Sequence, residues 1–353
     1  MLSIAPQDPP TSPQLGETTG TATAADFGDV PAEFEALRSN SGVYEMPWRA
    51  KISFTGSDRV RWLNGIITNN VRDLAAGNGV YAFLLNPQGR ILGDLYAYHR
   101  GGSLLVDTDR SQLPKILEIF DKYIIMDDVE VADVTGILGA VGIAGPKAVE
   151  VLRSAGLAFP PLQPLSFVDL TWRDVSVTVV RGDSPSVESY EVWISPENQS
   201  LLLDVLKTSG ALPVGTTALN LLRIAEGVPR LGQDIRERDL PQETSQQRAL
   251  HFTKGCYIGQ EIVERIRSRG NVHRMFTGFT VEGPLPLPGA KINVDGKDVG
   301  EVTSSASLPL PIGPYHVALG YIRREIATSG KALQIDGTIL NVTTLPFSKV
   351  FED

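Results

Sequence analysis

The sequence is poor in the residues that build redox and metal chemistry. It has a single cysteine, Cys256, and four scattered histidines, His99, His251, His273 and His316. One thiol cannot form an internal disulfide, which fits a reducing compartment, so a cytoplasmic location is expected. Zinc-type spacing is missing, and one cysteine cannot supply the four ligands of an ordinary iron–sulfur cluster, so no metal site is expected. No apolar run approaches the roughly 18 residues that a membrane-spanning helix requires, so no membrane partner is expected. Basic charge is also short: 32 Lys and Arg stand against 41 Asp and Glu, a formal net charge of -9. Such a surface repels phosphate backbones, which argues against direct nucleic-acid binding. The first residues lack the basic and apolar regions of a secretory signal and the Arg-rich pattern of a transit peptide. Their Pro, Thr, Ser and Gly cannot bury enough surface to offset ordering, so residues 1–30 read as a disordered tail.

What is present is an ordinary globular mixture, 42% hydrophobic and 21% charged, in a chain long enough for two or three domains. Pro31 to Asn40 reads as a short helix and Ala50 to Phe54 as a strand. Asp58 is placed to cap a helix whose Val60, Leu63 and Ile67 share one face. Gly79–Leu85 and Ile91–Tyr98 flank Asn86-Pro87-Gln88-Gly89-Arg90, the pattern of a hairpin. A strand at Ser103–Asp107, a helix at Leu113–Tyr123 and a strand at Val129–Val134 close a first strand-and-helix block. A second follows, with strands at Leu138–Ile143, Val175–Val180 and Tyr190–Ile194 and helices at Pro146–Ser154 and Asn198–Ser209. Thr217 to about Arg267 reads as helix-rich. From Phe276 onward, short strands separated by Gly and Pro suggest a small antiparallel β-barrel.

The densest chemistry lies in His251-Phe252-Thr253-Lys254-Gly255-Cys256-Tyr257-Ile258-Gly259-Gln260-Glu261. The only thiol follows a lysine by two residues, between glycines that allow a sharp turn or close approach. An adjacent ammonium would favour the thiolate if the two side chains converge. Gln260 and Glu261 open an amphipathic helix whose first amides attract anions. Taken singly, a lone cysteine is as readily a small buried hydrophobe.

The whole string Lys254 to Glu261 closely resembles the signature of YgfZ-type folate-binding proteins, relatives of the glycine-cleavage aminomethyltransferase (T-protein). The resemblance covers most of the chain from about residue 45. It includes Arg61–Asn70, Asn86–Ile91, Leu222-Arg223-Ile224-Ala225-Glu226-Gly227-Val228-Pro229 with Gly232-Gln233-Asp234, and the barrel segments Val299–Ser304 and Ala318–Arg324. It implies an aminomethyltransferase-like α+β fold: three domains around a central cavity, two of strands and helices and one C-terminal antiparallel β-barrel. The expected division is a folate-binding region at 31–275, made of two interleaved α+β domains, and a barrel domain at 276–353.

The resemblance also implies tetrahydrofolate, or a one-carbon-substituted folate, as cofactor. Tyr190-Glu191 matches an aromatic–glutamate pair that binds the pterin, and a carboxylate can accept two parallel N–H bonds from an aminopyrimidine. Arg223 matches an arginine near the folate carboxylates. From the residues alone, Glu191 could equally be a solvated strand residue, and Arg223 a surface residue paired with Glu226. Tyr257, Gly259, Gln260 and Glu261 join the cofactor set, and Cys256, Lys254 and Asp94 the catalytic one. In aminomethyltransferases two adjacent acids precede a leucine; here Gly93-Asp94-Leu95 keeps one, and Leu231 stands where the family has an aromatic. The favoured expectation is therefore a folate-binding factor for assembly or repair of iron–sulfur enzymes, including radical enzymes that modify tRNA. Its partners would be those client enzymes or assembly factors. The alternatives are an aminomethyltransferase moving a one-carbon unit to tetrahydrofolate, or a non-catalytic folate-binding module.

Overall fold

The computed structural model describes residues 23–270, 272–327 and 332–352. Most of the expected tail lies outside the described residues, but its end is held in place. Thr216 and Thr217 donate their amides to the carbonyls of Ala24 and Ala25, and buried Glu33 accepts from the amides of Phe27 and Gly215. The first-turn amides of a helix have no partner within it, and this strand of tail supplies one. Order thus begins before the boundary expected at residue 31.

The chain opens with α1 (Val30–Ser39) and β1 (Gly42–Glu45) and then leaves to build a separate five-stranded sheet. That sheet takes β2 (Arg49–Thr55), β3 (Asn78–Leu85), β4 (Ile91–His99), β5 (Leu104–Asp109) and β6 (Glu130–Asp133), in the order β3-β4-β5-β2-β6. Its helices are α2 (Arg59–Ile66) and α3 (Leu113–Tyr123). Alternation in β2 sends Ala50, Ile52 and Phe54 to the helix side, where all three are fully buried and Phe54 meets Phe120 edge-on at 5.2 Å. Asp58 does stand before α2, but its carboxylate accepts from the Asp128 amide and the Arg61 side chain rather than from a first-turn amide of α2.

The chain then returns to β1. β7 (Gly139–Ala144), α4 (Ala148–Ser154), β8 (Phe167–Trp172), β9 (Val175–Arg181), β10 (Ser189–Ile194), α5 (Pro196–Thr208) and β11 (Leu212–Pro213) follow. The resulting six-stranded sheet has the order β11-β1-β7-β10-β9-β8. One face packs on α4 and α5 through residues such as Val192, Ile194, Leu152 and Leu202. The opposite face meets the five-stranded sheet through Tyr98, Leu105, Phe167, Val180 and Trp193. The two blocks are therefore not consecutive, because β1 is split from its sheet by the whole β2–β6 excursion.

α6 (Thr216–Ala225) leads into a stretch expected to be helical. It is instead mostly irregular up to α7 (Gln260–Arg269), with two single 3-10 turns at Pro241–Glu243 and Gln247–Ala249. Gly227, Pro229, Gly232 and Pro241 break any helical run, and side chains satisfy its amides: Asp234 takes Arg230 N–H, Asp239 takes Arg236 N–H and Glu243 takes Leu240 N–H. The remaining strands close into the expected barrel: β12 (Arg274–Glu282), β13 (Lys291–Val294), β14 (Lys297–Leu310), β15 (Gly313–Arg323), β16 (Leu333–Ile335) and β17 (Thr338–Thr343). A short α8 (Arg324–Ala327) follows β15. Closure removes the sheet edges that would otherwise invite pairing with another chain.

Candidate functional site

The segment 251–261 is sewn to the chain that follows α2. Lys254 is 5% exposed and donates to three carbonyls, Asn64 at 2.6 Å and Ile67 and Asn69 at 2.7 Å each. Those three bonds use all three of its protons. Burial, with repulsion from Arg72, pulls the Lys254 ammonium down to about 7, and the carbonyl oxygens are what still hold its proton. Further stitches run from the amides of His251 and Ile258 to the carbonyls of Thr68 and Gly65, and from the Thr68 hydroxyl to the Ala249 carbonyl.

Lys254 turns inward while Cys256 is exposed. The ammonium spends its protons on backbone carbonyls and none on the thiol: the lysine anchors the loop, and the loop displays the thiol. Tyr257 turns inward as well. Its ring is buried with Leu85, Ile91 and Val263, Lys254 lies 5.0 Å from its centroid, and its hydroxyl finds no partner among the described residues. Burial pushes that hydroxyl up to about 12.

The glycines of the string differ in purpose. Gly259 has φ +81°, and a Cβ there would lie 2.6 Å from the Asn86 carbonyl oxygen and 3.0 Å from Leu85 Cβ. Gly89, on the facing hairpin turn, has φ +71° and would place a Cβ 2.8 Å from Ile262. The hairpin and the start of α7 thus approach backbone to backbone. A Cβ at Gly255 would meet only Arg72, at 4.0 Å. Beyond the turn, Glu261 is exposed and pairs with Arg265, and the Gln260 amide donates to the Tyr257 carbonyl.

A second cluster lies in the seam between the two sheets. Alternation along β10 puts Glu191 and Trp193 on the seam face, while Tyr190 goes to the opposite core, 3% exposed and packed against Phe159. Tyr190 therefore does not share a ligand with Glu191. Glu191 Oε2 accepts from Trp193 Nε1 at 2.7 Å and from Lys51 Nζ at 3.3 Å; Oε1 accepts nothing among the described residues. Lys51 reaches Asp107 at 2.9 Å and lies 4.5 Å from the Trp193 ring centroid, and Arg49 grips both oxygens of Asp107 at 3.0 and 3.1 Å.

From this seam a polar path leads to a cleft of about 760 Å³ between the loop after β9, the irregular stretch after α6 and the barrel, lined in part by Asp183, Glu226, Ser245, Arg248, Phe276 and Leu345. Arg49 stands 5.7 Å from the Tyr96 ring centroid, the Tyr96 hydroxyl donates to Asp183 at 3.2 Å, and Asp183 pairs with Arg248. In the cleft wall Glu226 accepts through Oε1 from Ser184, Ser186 and Val187, and burial raises its carboxyl above the usual range.

One expected ligand group, Arg223, and one expected catalytic group, Asp94, are engaged by the protein itself. Arg223 has five N–H donors and five acceptors: Asn220, Val228, Asp234, Gln233 and Ser304. It clamps α6 to the barrel, and no donor is left for a folate carboxylate. Asp94 is bridged, Oδ2 accepting from the Tyr81 hydroxyl and Oδ1 from the Gln112 amide, both at 2.7 Å. A Cβ at Gly93 would lie 3.1 Å from Gln112 Oε1, so a second acid there would need Gln112 to shift by a few tenths of an ångström.

The family model of the GCVT N-terminal domain matches residues 13–254, well over half of the chain. The chain belongs to the GCVT family. Within that family its barrel matches the CAF17 C-terminal beta-barrel domain over residues 274–347, which makes it a CAF17/YgfZ-type member of the aminomethyltransferase superfamily. It is similar to a putative chloroplastic transferase of Arabidopsis thaliana, 25% identical over 331 residues, 93% of this chain and 76% of the relative. It is also similar to an aminomethyltransferase of Nostoc sp., 27% identical over 323 residues, 88% of this chain and 84% of that one. The glycine cleavage system aminomethyltransferase T from Bartonella henselae shares the fold, with a TM-score of 0.81 at 22% identity over 90% of this chain and 89% of that one.

Against this GCVT frame, sequence reasoning missed Lys51, Asp107 and Arg49. Lys51 sits in an alternating strand, where its phase reads as the solvent face. The available signal was Asp107, a charge ending the apolar run Leu104-Leu105-Val106 on what proves to be the neighbouring strand, directly opposite Lys51.

Proposed function

We propose that this GCVT-family protein binds a reduced folate in the seam, with Glu191 accepting N–H groups of the pterin, and that Cys256 serves iron–sulfur client enzymes from its exposed loop. The observation that carries this reading is the division of open and engaged groups. Glu191 Oε1 and the Cys256 thiol are open, whereas Lys254 and Arg223 spend every donor inside the protein. Asp94 is bridged by Tyr81 and Gln112, and no second acid stands beside it in the chain, which weighs against aminomethyl transfer as the main activity.

The test is calorimetry with 5-formyltetrahydrofolate on the wild type, Glu191→Ala and Cys256→Ala, paired with rescue of an iron–sulfur enzyme in a host lacking the protein. Binding should vanish in Glu191→Ala and persist in Cys256→Ala, and Cys256→Ala should fail to rescue. Full rescue by Cys256→Ala would remove the thiol from the function. Methylene-tetrahydrofolate formed from an aminomethyl-lipoyl carrier would establish the transferase alternative instead.

A further inference from the structure

We infer that Lys51 is the positioning residue of the seam, pinning one oxygen of Glu191 so that the other is presented to a ligand's N–H donors. This deepens the folate reading above and rests on it for the identity of the ligand.

Charge accounting makes the case. Lys51 and Asp107 are each 1% exposed, and they stand directly opposite one another on β2 and β5. Arg49 already matches Asp107 with a two-pronged contact, 3.0 Å to Oδ2 and 3.1 Å to Oδ1. Lys51 is therefore the surplus cation, and its counter-charge is Glu191, on the other sheet. Burying an ammonium costs free energy that an apolar side chain of similar length would not. A seam selected for cohesion alone would do as well with methionine at position 51. What methionine could not do is fix a carboxylate. Lys51 and the Trp193 indole together occupy both lone pairs of Glu191 Oε2, and the Trp193 ring beneath the ammonium holds the lysine in place. Free choice of rotamer is removed from Glu191 before any ligand arrives, and Oε1 is the oxygen left over. Such preorganisation lowers the ordering cost of binding.

Two readouts test this, one with ligand and one without. Calorimetry would compare 5-formyltetrahydrofolate with its 2-desamino-2-methyl analogue, which lacks the amino donor. Lys51→Met should weaken the parent by about 30-fold, the scale of one hydrogen bond to a charged group, and the analogue by no more than about threefold. Lys51→Arg, which keeps the cation, should hold the parent within about tenfold of wild type. In the ligand-free protein, the Trp193 indole N–H resonance, one of four in the chain, should move upfield in both Lys51→Met and Glu191→Ala. Equal losses for both ligands, or a Trp193 resonance unmoved by Lys51→Met, would reduce Lys51 to a structural residue. If the wild type binds neither ligand, the folate reading falls. The Trp193 resonance then decides the positioning role by itself, an upfield shift in Lys51→Met that matches the one in Glu191→Ala supporting it and a smaller or opposite one overturning it.

Discussion

Lys51 and Lys254 are both buried lysines with the ammonium over an aromatic ring, yet the acceptors that hold them differ. Lys254 is ringed by neutral carbonyls, and burial drags its ammonium down to about 7. Lys51 is set between two carboxylates from different sheets. A cation surrounded by dipoles can only shape backbone; it ties down the residues after α2 and, through them, the loop bearing Cys256. One placed between charges can orient a side chain that stays partly open to solvent, as Glu191 does. The same residue type thus serves display of a thiol in one region and aim of a carboxylate in the other.

The largest effect that could break this comparison is at the display region. Lys254→Met strands three carbonyl oxygens in a buried site and should destabilise the protein by about 3 kcal/mol or more in urea titrations. A loss below about 1 kcal/mol would mean the clamp is dispensable. The pH dependence has a definite sign. Because the folded value of about 7 lies below the ordinary 10.5, the unfolded chain binds more protons between these values. This group's contribution is constant below pH 7 and makes stability rise with pH above it. The wild-type midpoint should climb between pH 7 and 9.5 relative to Lys254→Met, and a parallel course would contradict the shift.

Next in size is Gly259→Ala, which meets both the positive φ and the Asn86 carbonyl and should cost about 2 kcal/mol in thermal unfolding. Gly255→Ala, with open space around it, should stay within about 0.5 kcal/mol, and equal costs would refute the division of labour between the two glycines. Arg223→Gln should lower stability by about 2 kcal/mol through its lost pairing with buried Asp234 while folate affinity changes by less than about threefold. A selective loss of affinity would restore it as a ligand residue. Smallest of all, Asp94→Asn should leave folate affinity within about twofold, since Tyr81 and Gln112 can bond an amide too.

Elements set by local pattern were legible in the sequence: the hairpin at Asn86–Arg90, the amphipathic helix Leu113–Tyr123, which matches residue for residue, and the closed barrel. What escaped depends on partners distant in sequence. Lys254 and Arg223 read as chemical groups because a cation's acceptors, here carbonyls nearly 190 residues earlier or a barrel serine, leave no trace beside it. Tyr190 and Glu191 match a ligand pair by resemblance, although strand alternation alone sends them to opposite faces. The stretch before α7 read as helical because its polar residues resemble a helix surface, when they are in fact the acceptors of an irregular backbone.

The detour of β2–β6 between β1 and β7 has a consequence for the chain as it is made. The five-stranded sheet is complete once Asp133 has emerged, whereas β1 must wait for β7 and for Leu212–Pro213 before both of its edges are paired. Domains fold as units during synthesis. The inner sheet should therefore stand finished while the older end of the chain still waits beside it. The seam that holds Lys51 and Glu191 is made afterwards, when the second sheet closes over a surface already formed and the barrel is still to come.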